Sequence, residues 1–160
     1  MTKKIYVDGS SNSVSSAICY TYFKGVKQKK FIKTVDKDSP VILEYKALLW
    51  ALKEFEDYNG DIIFYSDCKR VVEEVNGIQR LHDATINLTL EVKLIIDQTN
   101  NRFKLEWISR DFNHAGIYLE ERLKKVKLNI LNVTKPIIRV KRTKHGIRVK
   151  RINRTSTKNL

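Results

Sequence analysis

From its first residues the chain alternates between apolar and polar positions. Ile5-Tyr6-Val7-Asp8 runs in this way into Gly9-Ser10; residues 17–23 are rich in Ile, Tyr and Thr; and residues 29–35 again carry apolar positions, with Gly25 between the two runs. This spacing predicts three strands joined by short turns. Ser39-Pro40 is a helix-start signal, Ser as N-cap and Pro at the first helical position, and the pattern then continues to Tyr58 before Asn59-Gly60 stops it, a helix of about five turns. Ile62-Ile63-Phe64-Tyr65 is a continuous apolar run ending at Ser66-Asp67, the pattern of a central parallel strand covered on both faces. Residues 68–76 and 84–98 have helical spacing, residues 103–108 alternate like a strand, and Asn113 can cap a last helix reaching about Leu128. The order β-β-β-α-β-α-α-β-α predicts an α/β fold. Three antiparallel strands feed a βαβ portion, giving a five-stranded mixed sheet flanked by helices.

The end of the chain has a different character. In "IIRVKRTKHGIRVKR", Ile138, Val140, Ile147 and Val149 alternate with basic residues around His145-Gly146, so residues 135–160 read as a basic extension, hairpin or disordered, appended to a domain of residues 1–134. Charge sharpens the division. The net charge is +13, yet residues 135–160 hold ten Lys/Arg and no Asp/Glu, leaving 21 basic against 18 acidic side chains in residues 1–134. A basic segment beside a nearly neutral domain suits a polyanionic partner bound through counterion release, whereas a charge run in isolation is often a solvated tail. No stretch approaches the roughly 18 consecutive apolar residues of a membrane span, and the opening MTKKIYVD has no apolar signal-peptide run, so a cytoplasmic protein without a membrane partner is expected. Cys19 and Cys68 lack CxxC spacing and read as reduced thiols rather than zinc ligands or a disulfide.

Position sorts the acids. Asp8 ends the first predicted strand and Asp67 the fourth, and ligands of open α/β sheets bind at strand ends; a turn or cap role, Asp67 capping the helix from Cys68, is the plainer alternative. Glu44 lies three residues after Val41 and four before Leu48, on the stripe with Ala51, Leu52 and Phe55 that should face the sheet. A glutamate there is costly unless a cation or a buried Arg or Lys satisfies it. Three converging carboxylates would repel one another unless a divalent ion lay between them, and all-oxygen ligands favour Mg²⁺ or Mn²⁺ over zinc.

Four segments, "IYVDGSSNS", "LEYKALLWAL", "IIFYSDCKRVVEEVNG" and "WISRDFNHAGIYLEERL", occur in the order and approximate spacing of the type 1 ribonuclease H family, which the chain resembles over about residues 1–128. The resemblance implies a five-stranded mixed sheet with flanking helices. It implies endonucleolytic cleavage of the RNA strand of an RNA/DNA hybrid, leaving 3′-hydroxyl and 5′-phosphate ends, with two Mg²⁺ or Mn²⁺ ions expected when substrate is bound. Asp8, Glu44 and Asp67 match the family's first three metal-binding, catalytic acids.

The fourth does not match. Aligning Arg110 and Asn113 with the family's last motif puts Gly116 at its alanine and Ile117 at its acid. With Leu119 at the centre of a buried stripe shared with Ala115, Leu123 and Val126, Ile117 points roughly 160° away, outside the main core. Glu120 or Glu121, about one turn further on, could reach back toward the vacated place; an exposed face paired with Lys124 or Lys125 is their plainer reading. The family's glycine-rich turn is here "SSNSVSS", its catalytic-histidine loop is missing with Trp107 near its place, and His114 reads as a surface or capping residue. The substrate contacts implied are Gly9, Ser10 and Asn12 after the first strand, Arg110 and Asn113 before the last helix, and Lys141, Arg142, Arg148, Lys150 and Arg151 in the tail, in place of the basic handle of some members. Two functions follow: a hybrid-cleaving nuclease, with activity lowered by the missing acid, or a non-catalytic module that binds RNA/DNA hybrids or RNA. A proofreading exonuclease fits poorly, since Asp8-Gly9-Ser10 lacks a D-x-E pair, and a junction resolvase would also want the fourth acid.

Overall fold

The structure, a computed structural model, describes residues 2–99, 102–134, 137–143 and 146–152, with side chains described up to residue 130. The chain divides into two compact units, residues 1–124 and residues 125–160. In the first, strands β1 (Lys3–Ser11), β2 (Ser16–Lys24) and β3 (Lys27–Val35) are followed by α1 (Pro40–Glu54), β4 (Ile62–Ser66), α2 (Lys69–Val75), α3 (Ile86–Gln98) and β5 (Phe103–Trp107). A single 3₁₀ turn at Arg110–Phe112 then leads into α4 (His114–Thr134). The strands form one sheet in the order β3-β2-β1-β4-β5. β1 pairs antiparallel with β2, and β2 with β3, while β4 is parallel to both β1 and β5. This is the mixed five-stranded sheet that the sequence predicts. The second unit contains an antiparallel hairpin, β6 (Ile137–Thr143) with β7 (Gly146–Ile152), where a basic hairpin was one of the two expectations; residues 153–160 lie outside the described residues. Among the described residues no helix is long and apolar enough to cross a membrane.

Strand alternation distributes the core over both faces. Ile5, Val7, Ile18 and Tyr20 face a cluster containing Leu48, Ala51 and Leu52 of α1 together with Val71 and Val92. The other face carries Ala17 and Cys19, covered by Ala115, Leu119 and Leu123 of α4. The α1 stripe is wider than predicted: Leu43, Tyr45, Ala47 and Leu49 are buried as well, because α3 and α2 pack beside this helix. Ser39 caps α1 as expected, its hydroxyl accepting from Ile42 N–H, but the helix ends at Glu54 instead of Tyr58. Phe55 and Tyr58 turn to stack edge-on with each other and to lie under Lys3, which draws the chain out of the helical path. The last helix runs past Leu128 to Thr134, since no breaker precedes Pro136, which disfavours the helical conformation at residue 135. Its buried stripe stops at Leu123, with Val126 exposed.

Candidate metal centre

Parallel pairing of β1 with β4 runs from Lys3 opposite Ile62 to Tyr6 opposite Tyr65. Two residues beyond that last pair, Asp8 and Asp67 therefore stand side by side, Asp67 just past the end of β4 and Asp8 inside β1, which does not end with it as the sequence suggests but runs on to Ser11 through its pairing with β2. Glu44 joins them from α1, and the approach depends on Gly9. A methyl group added to Gly9 would lie 2.2 Å from the carbonyl carbon and oxygen of Leu43 and 2.7 Å from the Glu44 nitrogen, so only glycine lets the α1 backbone close onto β1 at this point. Carboxylate oxygens of Asp8, Glu44 and Asp67 all lie within 4.8 Å of one another.

The electrostatics of the cluster are unfavourable as they stand. Burial, then the charge of Asp67, pushes the Asp8 carboxyl up to about 6, against smaller downward pulls from a hydrogen bond with Glu44 and the Arg110 charge. Glu44 is held well above the ordinary glutamate range by burial and by the charges of Asp8 and Asp67, with the Gly9 backbone N–H pulling it partway back. Its Oε2 is shielded from solvent and has no hydrogen-bond partner. Among the described residues no lysine or arginine forms an ion pair with any of the three acids. A cluster of hard oxygen donors in which one carboxylate oxygen is buried without a partner fits a divalent cation such as Mg²⁺ or Mn²⁺, which would replace mutual repulsion with attraction.

Asn113 ties the cluster to the last helix. Fully buried, it donates its side-chain amide to Asp67 Oδ1 at 2.8 Å and to the Val7 carbonyl at 2.9 Å, while its Oδ1 accepts from Ala115 N–H at 3.2 Å. The capping role read from the sequence is present, and the bridge to Asp67 is an addition that local pattern could not reveal. Asp67 does not cap α2; Ser66 Oγ accepts from Cys68 N–H instead. Trp107 donates its indole N–H to the Asp67 carbonyl at 3.2 Å and leaves about half its surface exposed. His114 is packed between the edges of Tyr6 and Phe23, a structural setting.

Ile117 is 44% exposed and outside the core, as its helical phase predicts. Gly116, the residue before it, lies against the acids: a methyl group there would sit 3.5 Å from Asp8 Oδ1. Glu120, one turn further along that face, is near enough for its charge to raise Asp8 slightly. It is engaged by Lys124 at 2.7 Å and Arg110 at 3.8 Å. Glu121 is exposed. Of the other sequence candidates, Asn12 is occupied with folding: Oδ1 accepts from Val14 and Ser15 N–H, and Nδ2 donates to the Leu123 carbonyl. Gly9 is buried against α1, Ser10 is partly exposed, and Arg110 is exposed beside the cluster. The tail residues belong to the hairpin.

Residues 7–120 match the family profile described as "Reverse transcriptase-like". The chain belongs to this ribonuclease H-like family. Ribonuclease H1 from the halophilic archaeon Halobacterium salinarum superposes with a TM-score of 0.65 at 19% identity, over 78% of this chain and 99% of that one. The N-terminal ribonuclease H domain of a Mycobacterium tuberculosis protein gives a TM-score of 0.65 at 17% identity, over 81% and 98%. LC11 ribonuclease H1, isolated from compost and solved in complex with an RNA/DNA hybrid, gives 0.66 at 15% identity, over 78% and 99%. No curated protein matches the chain by sequence. The ribonuclease H-like fold thus accounts for the sheet order and for the meeting of β1, β4 and α1 at which the three acids stand.

Proposed function

We propose that this chain is a metal-dependent endoribonuclease that cleaves the RNA strand of RNA/DNA hybrids, using Asp8, Glu44 and Asp67 to hold Mg²⁺ or Mn²⁺. The observation that carries this reading is the convergence of three carboxylates within 4.8 Å, with Glu44 Oε2 buried and unpartnered. Held there with substrate, the ions would supply Lewis-acid activation of a water and stabilisation of the leaving oxygen. Asp8 would be shared between the ions, and Glu44 and Asp67 would each hold one. Asn113 keeps Asp67 oriented, and Gly9 keeps Glu44 within reach. Arg110 and Ser10 border the cluster, where a phosphate and a 2′-hydroxyl of the RNA strand would be met, the latter group separating RNA from DNA. Residues 1–134 act as the catalytic domain, residues 135–160 as an extension that adds grip, in a cytoplasmic setting.

One observation favours a second reading. Ile117 occupies the place of a fourth acid, and the nearest substitute, Glu120, is already engaged by Lys124 and Arg110. A domain that recognises hybrids without cutting them, or cuts slowly, would look the same at this position. Incubating a labelled hybrid beside RNA/RNA and DNA/DNA duplexes, in Mg²⁺ and in Mn²⁺, separates the two. Hybrid-only cleavage with 3′-hydroxyl products is expected; binding without cleavage in either metal would replace the nuclease by the module.

A further inference from the structure

The register of the second unit's hairpin sorts its charges. Arg139 pairs with Lys150 and Lys141 with Arg148, whereas Ile138 pairs with Arg151, Val140 with Val149 and Arg142 with Ile147. Directly opposed residues of an antiparallel pair share a face, and faces alternate along each strand. One face therefore carries Arg139, Lys141, Arg148 and Lys150 as two adjacent like-charge pairs, with the Ile137–Ile152 pair beyond them at the open end of the ribbon; the other carries Ile138, Val140, Ile147 and Val149, with Arg142 and Arg151 toward opposite ends. Like charges placed directly opposite each other destabilise a hairpin. No acidic residue occurs anywhere in residues 135–160 to offset them.

We infer that this four-cation face of the β6–β7 ribbon is a docking surface for the phosphate backbone of a nucleic acid duplex, separate from the carboxylate cluster. Successive same-face positions lie roughly 6.8 Å apart along a strand and roughly 5 Å apart across it, a two-by-two lattice of cations on the scale of neighbouring phosphates. An anionic membrane surface is a poorer match, because ribbons and helices that bind membranes set apolar side chains among the cations, and here four of the six apolar positions are on the opposite face while the Ile137–Ile152 pair lies at the end of the basic one, not between its cations. The inference rests on the proposed function only in taking the hybrid as the duplex.

The test compares two double variants of the full chain with equal loss of charge: Lys141→Gln with Arg148→Gln on the basic face, and Arg142→Gln with Arg151→Gln on the other, where the register sets these two sequence candidates opposite the docked duplex and so removes them from its contacts. Hybrid binding is followed across a salt series in Ca²⁺, and cleavage in Mg²⁺ and Mn²⁺ is recorded for the same preparations. The basic-face variant should flatten the slope of log affinity against log salt by roughly 2, at about 0.9 per lost phosphate contact, while the opposite-face variant keeps the wild-type slope. Equal losses in both, no loss in either, or losses seen only with phosphatidylserine vesicles and not with the hybrid would overturn the inference. Absence of cleavage together with the face-dependent slope would instead count against the nuclease and leave the docking surface standing.

Discussion

Asn113 donates one side-chain amide to two acceptors at once, Asp67 Oδ1 and the Val7 carbonyl, and so links the middle of β1, the end of β4 and the start of α4. A carboxylate oriented by a neutral donor keeps its charge for a cation, whereas a lysine or arginine in the same place would compete with one. Asn113→Asp retains the acceptor that caps α4 but turns both donations into repulsions. It should lower the affinity for Mn²⁺ roughly 10- to 100-fold. Asn113→Ala should cost about 1–3 kcal/mol of stability. Isothermal titration with Mn²⁺ and urea denaturation read the two effects separately.

The metal-free cluster sets a pH dependence of its own. Asp8 is raised from its ordinary value to about 6 in the folded chain, so between those values the folded state holds a proton that the unfolded state has released. Stability of the metal-free protein therefore falls as pH rises through about 4 to 6. Divalent ions, binding the ionised cluster, should restore it above that range. Melting temperatures measured with chelator should drop from pH 4.5 to pH 7, the Mn²⁺-induced increase should be larger at pH 7 than at pH 5, and Asp8→Asn should melt higher than wild type in chelator at pH 7.

A second buried acid behaves in the opposite sense. Glu74 is fully buried and accepts from Tyr45 Oη at 2.7 Å, Thr85 Oγ1 at 2.8 Å and Arg70 Nε at 2.9 Å. Burial raises its carboxyl, but these hydrogen bonds and the Arg70 charge outweigh that and hold it below the usual range. Its contribution is therefore present above about pH 4.5 and is lost as pH falls through the lower folded value. Glu74→Gln should destabilise by about 1–3 kcal/mol at neutral pH, with the gap to wild type closing in acid; denaturant titrations at pH 7 and pH 3.5 check this.

Ile117→Asp places a carboxylate where the family has one. Because Ile117 is 44% exposed and outside the core, the change should leave stability within about 0.5 kcal/mol. It should tighten Mn²⁺ binding and raise the rate of hybrid cleavage, measured at saturating hybrid. An unchanged rate would mean that Glu120 already fills the place, and Glu120→Gln would then lower both quantities.

Where a residue's role depends on its own strand or helix, the sequence discloses it. Asp8 and Asp67 follow apolar runs that end with them, and Glu44 lies in helical phase with Leu48, so their convergence follows once the strand order is predicted. Asn113 was legible as a cap and, by resemblance, as a substrate contact, but not as a partner of Asp67, which lies 46 residues away. Glu74 was not legible at all: its helix supplies Arg70, but Tyr45 and Thr85 come from other segments. The early end of α1 had the same cause, since Phe55 and Tyr58 answer to Lys3, far from them in sequence but in contact with both rings. Gly9 carries no local sign that a helix backbone rests against it.

The most direct measurement is hybrid cleavage by wild type and Asp8→Asn in Mg²⁺ and Mn²⁺, with hybrid affinity determined for both proteins in Ca²⁺. Metal-dependent cleavage by wild type, abolished in Asp8→Asn while hybrid affinity stays within a few-fold, is the expected result. Cleavage that survives Asp8→Asn, or a wild-type chain that binds the hybrid and cuts it in neither metal, would contradict the assignment of Asp8, Glu44 and Asp67 as the catalytic metal centre.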